Sequence, residues 1–453
     1  MTMKTMTVSE VLIACGGEFC GDEEVLQKNI TSIVTDSRKV ENGSLFAAIA
    51  GARADGHDFV NSCLDNGAVC AICEKKIENP HGGYILVKST VNALGRIAAY
   101  YRSLFSIPVI GVSGSVGKTS TKEMLSDVLS QKFKVHKTPG NYNNALGVPL
   151  TLFGLEEDDE VAVVEMGISD FGEMRSLSEI VCPNICVLTN IGNCHLEKLI
   201  NRDGVLKAKT EMFENMAENA AVYLNGDDDK LSSIENIGSV VPVFFGIGSK
   251  NSYYAENISG CGFDGIKCTL CTPKQRIDVK IPAIGNYMIS NALAAVAVAE
   301  QLGLDALQIK KGIESYRTIS GRANVICTEK YIVLDDCYNA NPASMKAGID
   351  SLANCKGRRV CILGDMKELG GAEVEMHREI GAYLNGKDID VLIAVGTLAK
   401  EIYSVSKLEN KYWFESVEKA ITALPDILCT GDSILAKASN SMRFKEIVEA
   451  LKR

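Results

Sequence analysis

The sequence predicts an α/β protein of three domains, and three observations carry that prediction. Apolar runs that read as buried strands, such as Val161-Ala162-Val163-Val164 and Ile185-Cys186-Val187-Leu188, alternate with segments of helical period. That alternation marks a mostly parallel sheet covered on both faces. A second stretch with the same alternation begins near Tyr316, after a short, turn-rich, alternating segment over 241–282. The 453 residues exceed what a single hydrophobic core organises.

We place the domains at 1–88, 89–315 and 316–453. The first is small and α/β: a helix over Val8 to Cys15, then strands over Ile30 to Val34, Ser44 to Ile49 and Tyr84 to Val87. A helix over Asn92 to Leu104 leads to Pro108, a natural break. The central domain has strands over Ile107 to Val112, Val161 to Glu165, Ile185 to Asn190 and Ala221 to Asn225, with an antiparallel patch over 241–282 and an alanine-rich helix over Met288 to Leu302. The last domain has strands over Tyr331 to Asp336, Arg359 to Asp365, Val391 to Gly396 and Ser433 to Lys437. Its order of elements is Rossmann-like, yet no G-x-G-x-x-G follows its first strand, so a dinucleotide is not expected there.

The run Gly111-Val112-Ser113-Gly114-Ser115-Val116-Gly117-Lys118-Thr119-Ser120 joins an apolar strand to a helical pattern in which Met124, Leu125, Val128 and Leu129 recur. Strand, glycine-rich turn and helix make a phosphate-binding loop, in which backbone N–H groups and the helix N-terminus converge on one phosphate cluster. The spacing is G-x-x-G-x-x-G-K-T rather than the strict G-x-x-x-x-G-K-T, because Val112 stands where the first glycine would be. The competing reading is a glycine-rich turn that merely precedes Lys-Thr; the strand and helix signals on both sides outweigh it. Lys118 is expected to reach the terminal phosphates and Thr119 to offer a hydroxyl to magnesium, so ATP with Mg2+ is the expected ligand. Gly114, Ser115, Gly117 and Ser120 complete the nucleotide loop.

Composition narrows the partners. Net charge is −10, with 23% charged residues and 46% hydrophobic ones, which argues against nucleic acid or an anionic membrane as the main partner. No apolar run is long enough to span a bilayer, and the N-terminus lacks a signal-peptide core, so a cytoplasmic monomer is expected. Of the 16 cysteines, most lie in apolar runs and read as small buried hydrophobes. Cys70/Cys73 and Cys268/Cys271 have C-x-x-C spacing, but the pairs are far apart in sequence and Cys70 and Cys73 alternate within a strand, which weighs against a zinc site.

Further polar residues stand at strand ends, where α/β sheets build their sites. Glu165 ends its strand before Met166-Gly167 and faces the phosphate loop, placed to hold magnesium. His195 follows the next strand in a glycine-bearing loop; a lone histidine is more often structural, but its sheet edge is that of the loop. Lys209, on the helix after it, reads by itself as a solvated helix lysine. Asn143 and Asn144 belong to an Asn-rich turn that either satisfies its own backbone or hydrogen-bonds a substrate. In the last domain, Asp335-Asp336-Cys337-Tyr338-Asn339-Ala340-Asn341-Pro342 and Gly364-Asp365-Met366-Lys367-Glu368 form two polar strand ends facing the nucleotide.

Together these pieces resemble the Mur ligase family, ATP-dependent amide-bond-forming enzymes, over nearly the whole chain. The resemblance implies that Gly114 to Thr119 bind ATP, that Glu165 and His195 bind magnesium, and that Lys209 is carbamylated and supports a second magnesium. It implies that Asn291, in Asn286-Tyr287-Met288-Ile289-Ser290-Asn291, contacts adenine and that Arg322 and Asp336 reach ATP from the last domain. Lys118, Lys209, His195 and Asn144 are the implied catalytic set. Thr35-Asp36-Ser37-Arg38 is similar to the family's UDP-sugar-binding domain and assigns Ser37 and Arg38 to substrate, with Asn143, Asn339 and Asn341. The motifs Asn143-Asn144-Ala145-Leu146-Gly147-Val148-Pro149 and Leu363-Gly364-Asp365-Met366-Lys367-Glu368-Leu369-Gly370 are similar to members that take UDP-N-acetylmuramoyl tripeptide and D-Ala-D-Ala as substrates. The D-N-P-R motif of the members that add the third amino acid is absent from the sequence. Another Mur-type or a folylpolyglutamate-type ligase is the nearest alternative; a P-loop regulatory ATPase is a different class that leaves the outer domains without a role.

Overall fold

The computed structural model describes residues 3–51, 54–260 and 262–453. In the first domain five strands stand in the order Glu18–Cys20, Tyr84–Leu86, Cys70–Cys73, Ser44–Ala47, Ser32–Val34, parallel except for the Glu18–Cys20 edge. The helix Val8–Cys15 forms as expected. Thr7 and Glu10 make a capping box at its start, and Gly16 ends it at φ 67°. The strand expected over Ile30 to Val34 divides. Asn29–Ile30 pairs with Met6–Thr7 in a separate two-stranded ladder, while Ser32–Val34 joins the main sheet. The Thr31 amide between them donates to Gly43 O at 2.9 Å, and a Cβ on Gly43 would lie 2.4 Å from Thr31 Oγ1, so only glycine admits the crossing.

The helix Thr90–Ser103 begins two residues before Asn92, because Ser89 accepts the Asn92 amide as its N-cap. Its buried residues Ala93, Leu94, Ile97, Ala98 and Tyr101 pack on Val8–Cys15 and on the central-domain helices Gly147–Leu152 and Glu173–Val181. The Tyr101 hydroxyl donates to Leu155 O and accepts from the Lys4 amide, both at 2.7 Å, which ties the first domain to the second.

The central sheet has six parallel strands in the order Val243–Phe245, Ala221–Asn225, Ile185–Leu188, Val109–Ser113, Val161–Glu165, Val135–Lys137. The order reverses at Val109–Ser113, and a crevice beyond the carboxyl ends of the strands is the expected binding place. The strand starts at Val109 rather than Ile107, just after Pro108, which has no N–H to give a ladder. Two short edge strands, Val135–Lys137 and Val243–Phe245, escaped the sequence reading. The antiparallel patch forms as Tyr254–Gly260, Ile266–Cys271 and Arg276–Ile281, but Val243–Phe245, counted with it, extends the parallel sheet instead. Helix Tyr287–Gln301, buried nearly all round, packs on helix Lys118–Leu129.

The last domain has the strand order Asn324–Cys327, Ile332–Asp335, Ser433–Lys437, Arg359–Gly364, Val391–Val395, Lys411–Phe414, with only the first antiparallel. Cys70 and Cys73 lie buried in the first domain's sheet, whereas Cys268 and Cys271 lie in the antiparallel patch. Burial pushes the Cys73 and Cys268 thiols up to about 12. Among the described residues, no helix is long and apolar enough to cross a membrane.

Candidate active site

The phosphate loop turns on two glycines. Gly114 sits at φ 145°, where a Cβ would stand 1.9 Å from Thr189 Oγ1, and Gly117 at φ 84° starts the helix at Lys118. Gly111 serves packing, since a Cβ there would meet Met166 Sδ at 3.0 Å. The loop is latched to the turn after the next strand. Ser115 N donates to Asn190 O and Val116 N to Asn190 Oδ1, each at 3.0 Å, and Gly192 N donates to Ser115 Oγ at 2.8 Å. Lys118 Nζ folds back onto Gly114 O at 2.8 Å. Enclosure by the loop pushes its pKa down; the Glu165 charge opposes this and Arg322 adds to it.

Glu165 is fully buried beside this loop. Thr119 Oγ1 and Asn143 Nδ2 donate to its Oε1 at 3.1 and 2.8 Å, while Oε2 has no hydrogen-bond partner and faces Lys122 Nζ at 3.9 Å. A buried carboxylate oxygen without a donor, next to a threonine hydroxyl, is the incomplete coordination that a hard divalent cation completes. Thr119 and Glu165 therefore fit magnesium. Lys122 is itself fully buried, donating to Thr138 O at 2.8 Å and pairing with Glu123 at 2.8 Å.

His195 adopts φ 52° at the start of the short helix Leu196–Leu199, and its Nδ1 meets Glu368 Oε2 of the last domain at 2.7 Å. That contact holds the Glu368 carboxyl below its usual range. Lys209 is buried in helix Arg202–Thr210, not solvated as the sequence alone indicated. Burial first, and the Lys118 charge second, push its ammonium down to about 8. As an ammonium it repels a metal; only an anionic derivative of that amine fits one.

The last domain forms the opposite wall. Asp336 accepts from the Ala323 amide at 3.1 Å and pairs at 2.5 Å with Lys437, a buried lysine that the sequence reading passed over as a strand residue. The Arg322 guanidinium lies 3.8 Å from the Tyr338 ring centroid. These residues, the phosphate loop, Asn291, Asn143, Asn144, His195, Asn339 and Asn341 line a common cavity of about 1140 Å³. Asn291 accepts from Thr121 Oγ1 at 3.1 Å beside Gly117, and Ser120 also faces the cavity.

Six residues are placed differently from the rest. Asn341 caps helix Pro342–Ala353 through the Ser344 amide, and Asn144 Oδ1 takes the Leu146 and Gly147 amides, so each side-chain oxygen already serves a local turn. Asn339 Oδ1 accepts the following Ala340 amide. Ser37 and Arg38 do not line the cavity; Arg38, its side chain 87% exposed, pairs with Asp36 in the first domain. Lys209 lies behind the wall rather than in it. Asn190, Lys122, Lys437 and Glu368 were missed as site residues. For Asn190 and Lys437 a signal existed, since both are polar residues ending otherwise apolar strands.

Three family models match the chain: the Mur ligase family, catalytic domain, over 29–102; the Mur ligase middle domain over 112–299; and the Mur ligase, glutamate ligase domain over 321–440. The UDP-N-acetylmuramoyl-tripeptide–D-alanyl-D-alanine ligase of Bacillus subtilis is 34% identical over 440 residues, 94% of each chain. The crystal structure of MurF from Acinetobacter baumannii superposes with a TM-score of 0.92 at 31% identity over the whole of both chains. The MurF ligase of Thermotoga maritima in complex with ADP superposes with a TM-score of 0.84 at 31% identity, over 93% of this chain and 97% of that one.

Proposed function

The chain belongs to the Mur ligase family, and from that premise we propose that it is an ATP-dependent, ADP-forming ligase that joins D-Ala-D-Ala to UDP-N-acetylmuramoyl tripeptide in peptidoglycan precursor synthesis. The observation that carries this reading is the shared cavity in which the phosphate loop and Glu165 face Arg322 and Asp336. A regulatory ATPase needs the loop; it has no use for a third domain facing the same nucleotide.

The donor's terminal carboxylate attacks the γ-phosphorus of ATP, the bridging oxygen leaves with ADP, and an acyl phosphate forms. The acceptor amine adds to the acyl carbon and gives up a proton, and the tetrahedral adduct expels phosphate to leave the amide. The first step brings two anions together, so the site must supply positive charge. Lys118 and the N–H groups of the Gly114–Thr119 turn do this with fixed donors that need no reorganisation. Magnesium, when bound, neutralises phosphate oxygens and polarises the phosphorus. Thr119 and the free oxygen of Glu165 would hold it, and His195 with a carbamate on Lys209 would hold a second ion. An amine with a pKa near 8 is partly neutral at physiological pH, the form that adds to carbon dioxide. In this reading Asn291 takes adenine, Arg322 and Asp336 close on the nucleotide, and Asn144 works beside the reacting carboxylate. Asn339 and Asn341 take substrate through the atoms their local turns leave free and Asn143 through the oxygen its bond to Glu165 leaves free, while Ser37 and Arg38 hold the UDP moiety outside the cavity. The same reading makes the enzyme a cytoplasmic monomer.

Phosphate release with ATP and UDP-muramoyl peptides of each length, with and without D-Ala-D-Ala, tests the proposal. The expected result is release and a new amide product only with the tripeptide donor and D-Ala-D-Ala together. Substrate-independent hydrolysis, or turnover with a diamino acid or glutamate instead, overturns it.

A further inference from the structure

The cavity wall built by the last domain carries a cation that nucleotide chemistry leaves over. We infer that Lys346, oriented by Glu379, is the subsite that takes the carboxylate of the acceptor dipeptide; this rests on the ligase reading above. The cations lining the cavity are Lys118, His195, Arg202, Arg322, Lys346 and Lys437. Five are engaged. Lys118 lies in the phosphate loop, and His195 is on Glu368. Arg202 donates to Ile191 O at 2.8 Å and pairs with Asp229, Arg322 stacks on Tyr338, and Lys437 is buried between Asp336 and Asn339 O.

Lys346 differs. Its side chain is 32% exposed, its ion-pair partner is Glu379 at 2.5 Å, and the Glu379 side chain is 48% exposed and lines the same cavity. An ammonium has three donors, and one carboxylate oxygen occupies one of them. A solvated pair of this kind adds little to fold stability, so the fold alone does not require a lysine here. The Tyr383 ring, with its centroid 5.3 Å from Nζ, and Glu379 fix where the head group stands.

The position suits a dipeptide. Ala343 lies three residues before Lys346, on the same face of helix Pro342–Ala353. Its Cβ is 4.0 Å from where a Cβ on Gly192 would be, and the Gly192 amide donates to Ser115 Oγ of the phosphate loop at 2.8 Å. The helix face therefore starts at the loop and reaches Lys346 after about 4.5 Å of rise. An extended dipeptide spans ~7 Å. With its carboxylate on Lys346, its amine points back toward the phosphate loop, where the acyl phosphate forms. Glu379 beside the cation disfavours an acceptor with a second negative charge.

The test is steady-state kinetics with product detection by mass spectrometry, using D-Ala-D-Ala and its C-terminal carboxamide on the wild-type chain, Lys346→Gln and Lys346→Arg. Lys346→Gln is expected to raise KM for D-Ala-D-Ala about 10-fold or more, the effect of losing a charge-assisted hydrogen bond, with KM for ATP and for the UDP donor unchanged. Lys346→Arg should keep most of the affinity. Amidating the acceptor should raise KM in the wild type by a similar factor and add nothing further in Lys346→Gln, a non-additivity that a merely structural role does not produce. An unchanged acceptor KM in an active Lys346→Gln, additive effects of variant and amide, or a shift in donor KM instead overturns the assignment and leaves the ligase reading standing. No acceptor-dependent product from the wild type overturns both.

Discussion

Lys209 and Lys207 lie two residues apart on one helix and could not be told apart by composition. One is exposed beside Phe171, the other is 1% exposed behind the phosphate loop. Burial makes the chemistry: it holds the Lys209 amine at about 8, against an ordinary value of 10.5. Lys209→Ala should lose most ligase activity, and short carboxylates added to the assay should restore part of it; full activity in that variant without rescue would end its assignment. The same shift has a sign in stability. Below pH ~8 both folded and unfolded chains hold this proton; between about 8 and 10.5 the folded chain has released it and the unfolded one keeps it. This group therefore makes stability rise with pH across that window. Urea midpoints measured from pH 7.5 to 10 in carbon dioxide-free buffer should show a rise that Lys209→Met removes. Lys122 is the converse case, a buried cation held by Glu123 and Thr138. Lys122→Met leaves the buried Glu165 without its facing cation, while Glu123 keeps Lys137, and should cost about 3 kcal/mol in a denaturant titration. The strand, glycine turn and helix of the loop were legible because they lie in local spacing. Lys122 and Glu368 were not, because each acts on a residue that only the fold brings near.

At the scale of elements, legibility followed burial. The inner strands of both large sheets are continuous apolar runs and were read within a residue or two. The edges Val135–Lys137, Val243–Phe245, Asn324–Cys327 and Lys411–Phe414 were not: three carry polar residues, as a strand covered on fewer sides does, and the apolar Val243–Phe245 is only three residues long inside a turn-rich segment. The division of 29–34 between two sheets has no apolar signal at all; it hangs on Thr31 and Gly43. Helix Thr90–Ser103 likewise looked like a connector, yet it is the brace between the first two domains. Its Gly95 allows the approach of Ile180, whose Cδ1 would lie 2.9 Å from an added Cβ. Tyr101→Phe keeps the ring and removes the hydroxyl that joins Lys4 to Leu155. It should lower stability by about 1–3 kcal/mol, the cost of stranding buried partners, and calorimetry should show the loss with kinetic constants little changed.

For the whole molecule the question is how the last domain reaches the nucleotide. The chain leaves helix Ala306–Ser315 at Tyr316, whose ring is buried in the central core, so Tyr316 anchors rather than bends. Residues 317–319 carry no helix or strand before the Gly321–Ala323 turn, where φ is 77° at Gly321 and 50° at Ala323. A rigid rotation of the last domain would have its hinge in that stretch. The surfaces that would part include polar contacts, His195 on Glu368 and the Glu197 backbone against Gly370, where an added Cβ would lie 3.3 Å away, and an apolar one, where Ile284 is buried in the last domain's core with Phe263 and Tyr287 packed against it. The apolar brace at Thr90–Ser103 holds the first domain in place. Nucleotide and UDP-linked donor together are therefore expected to compact the molecule by moving the last domain alone. Small-angle scattering should show a smaller radius of gyration with both ligands than without, and a disulfide or bulky label placed within 317–319 should reduce that change. Identical scattering curves with and without ligands would exclude the rotation. Compaction that survives a rigid 317–319 stretch would move the hinge elsewhere.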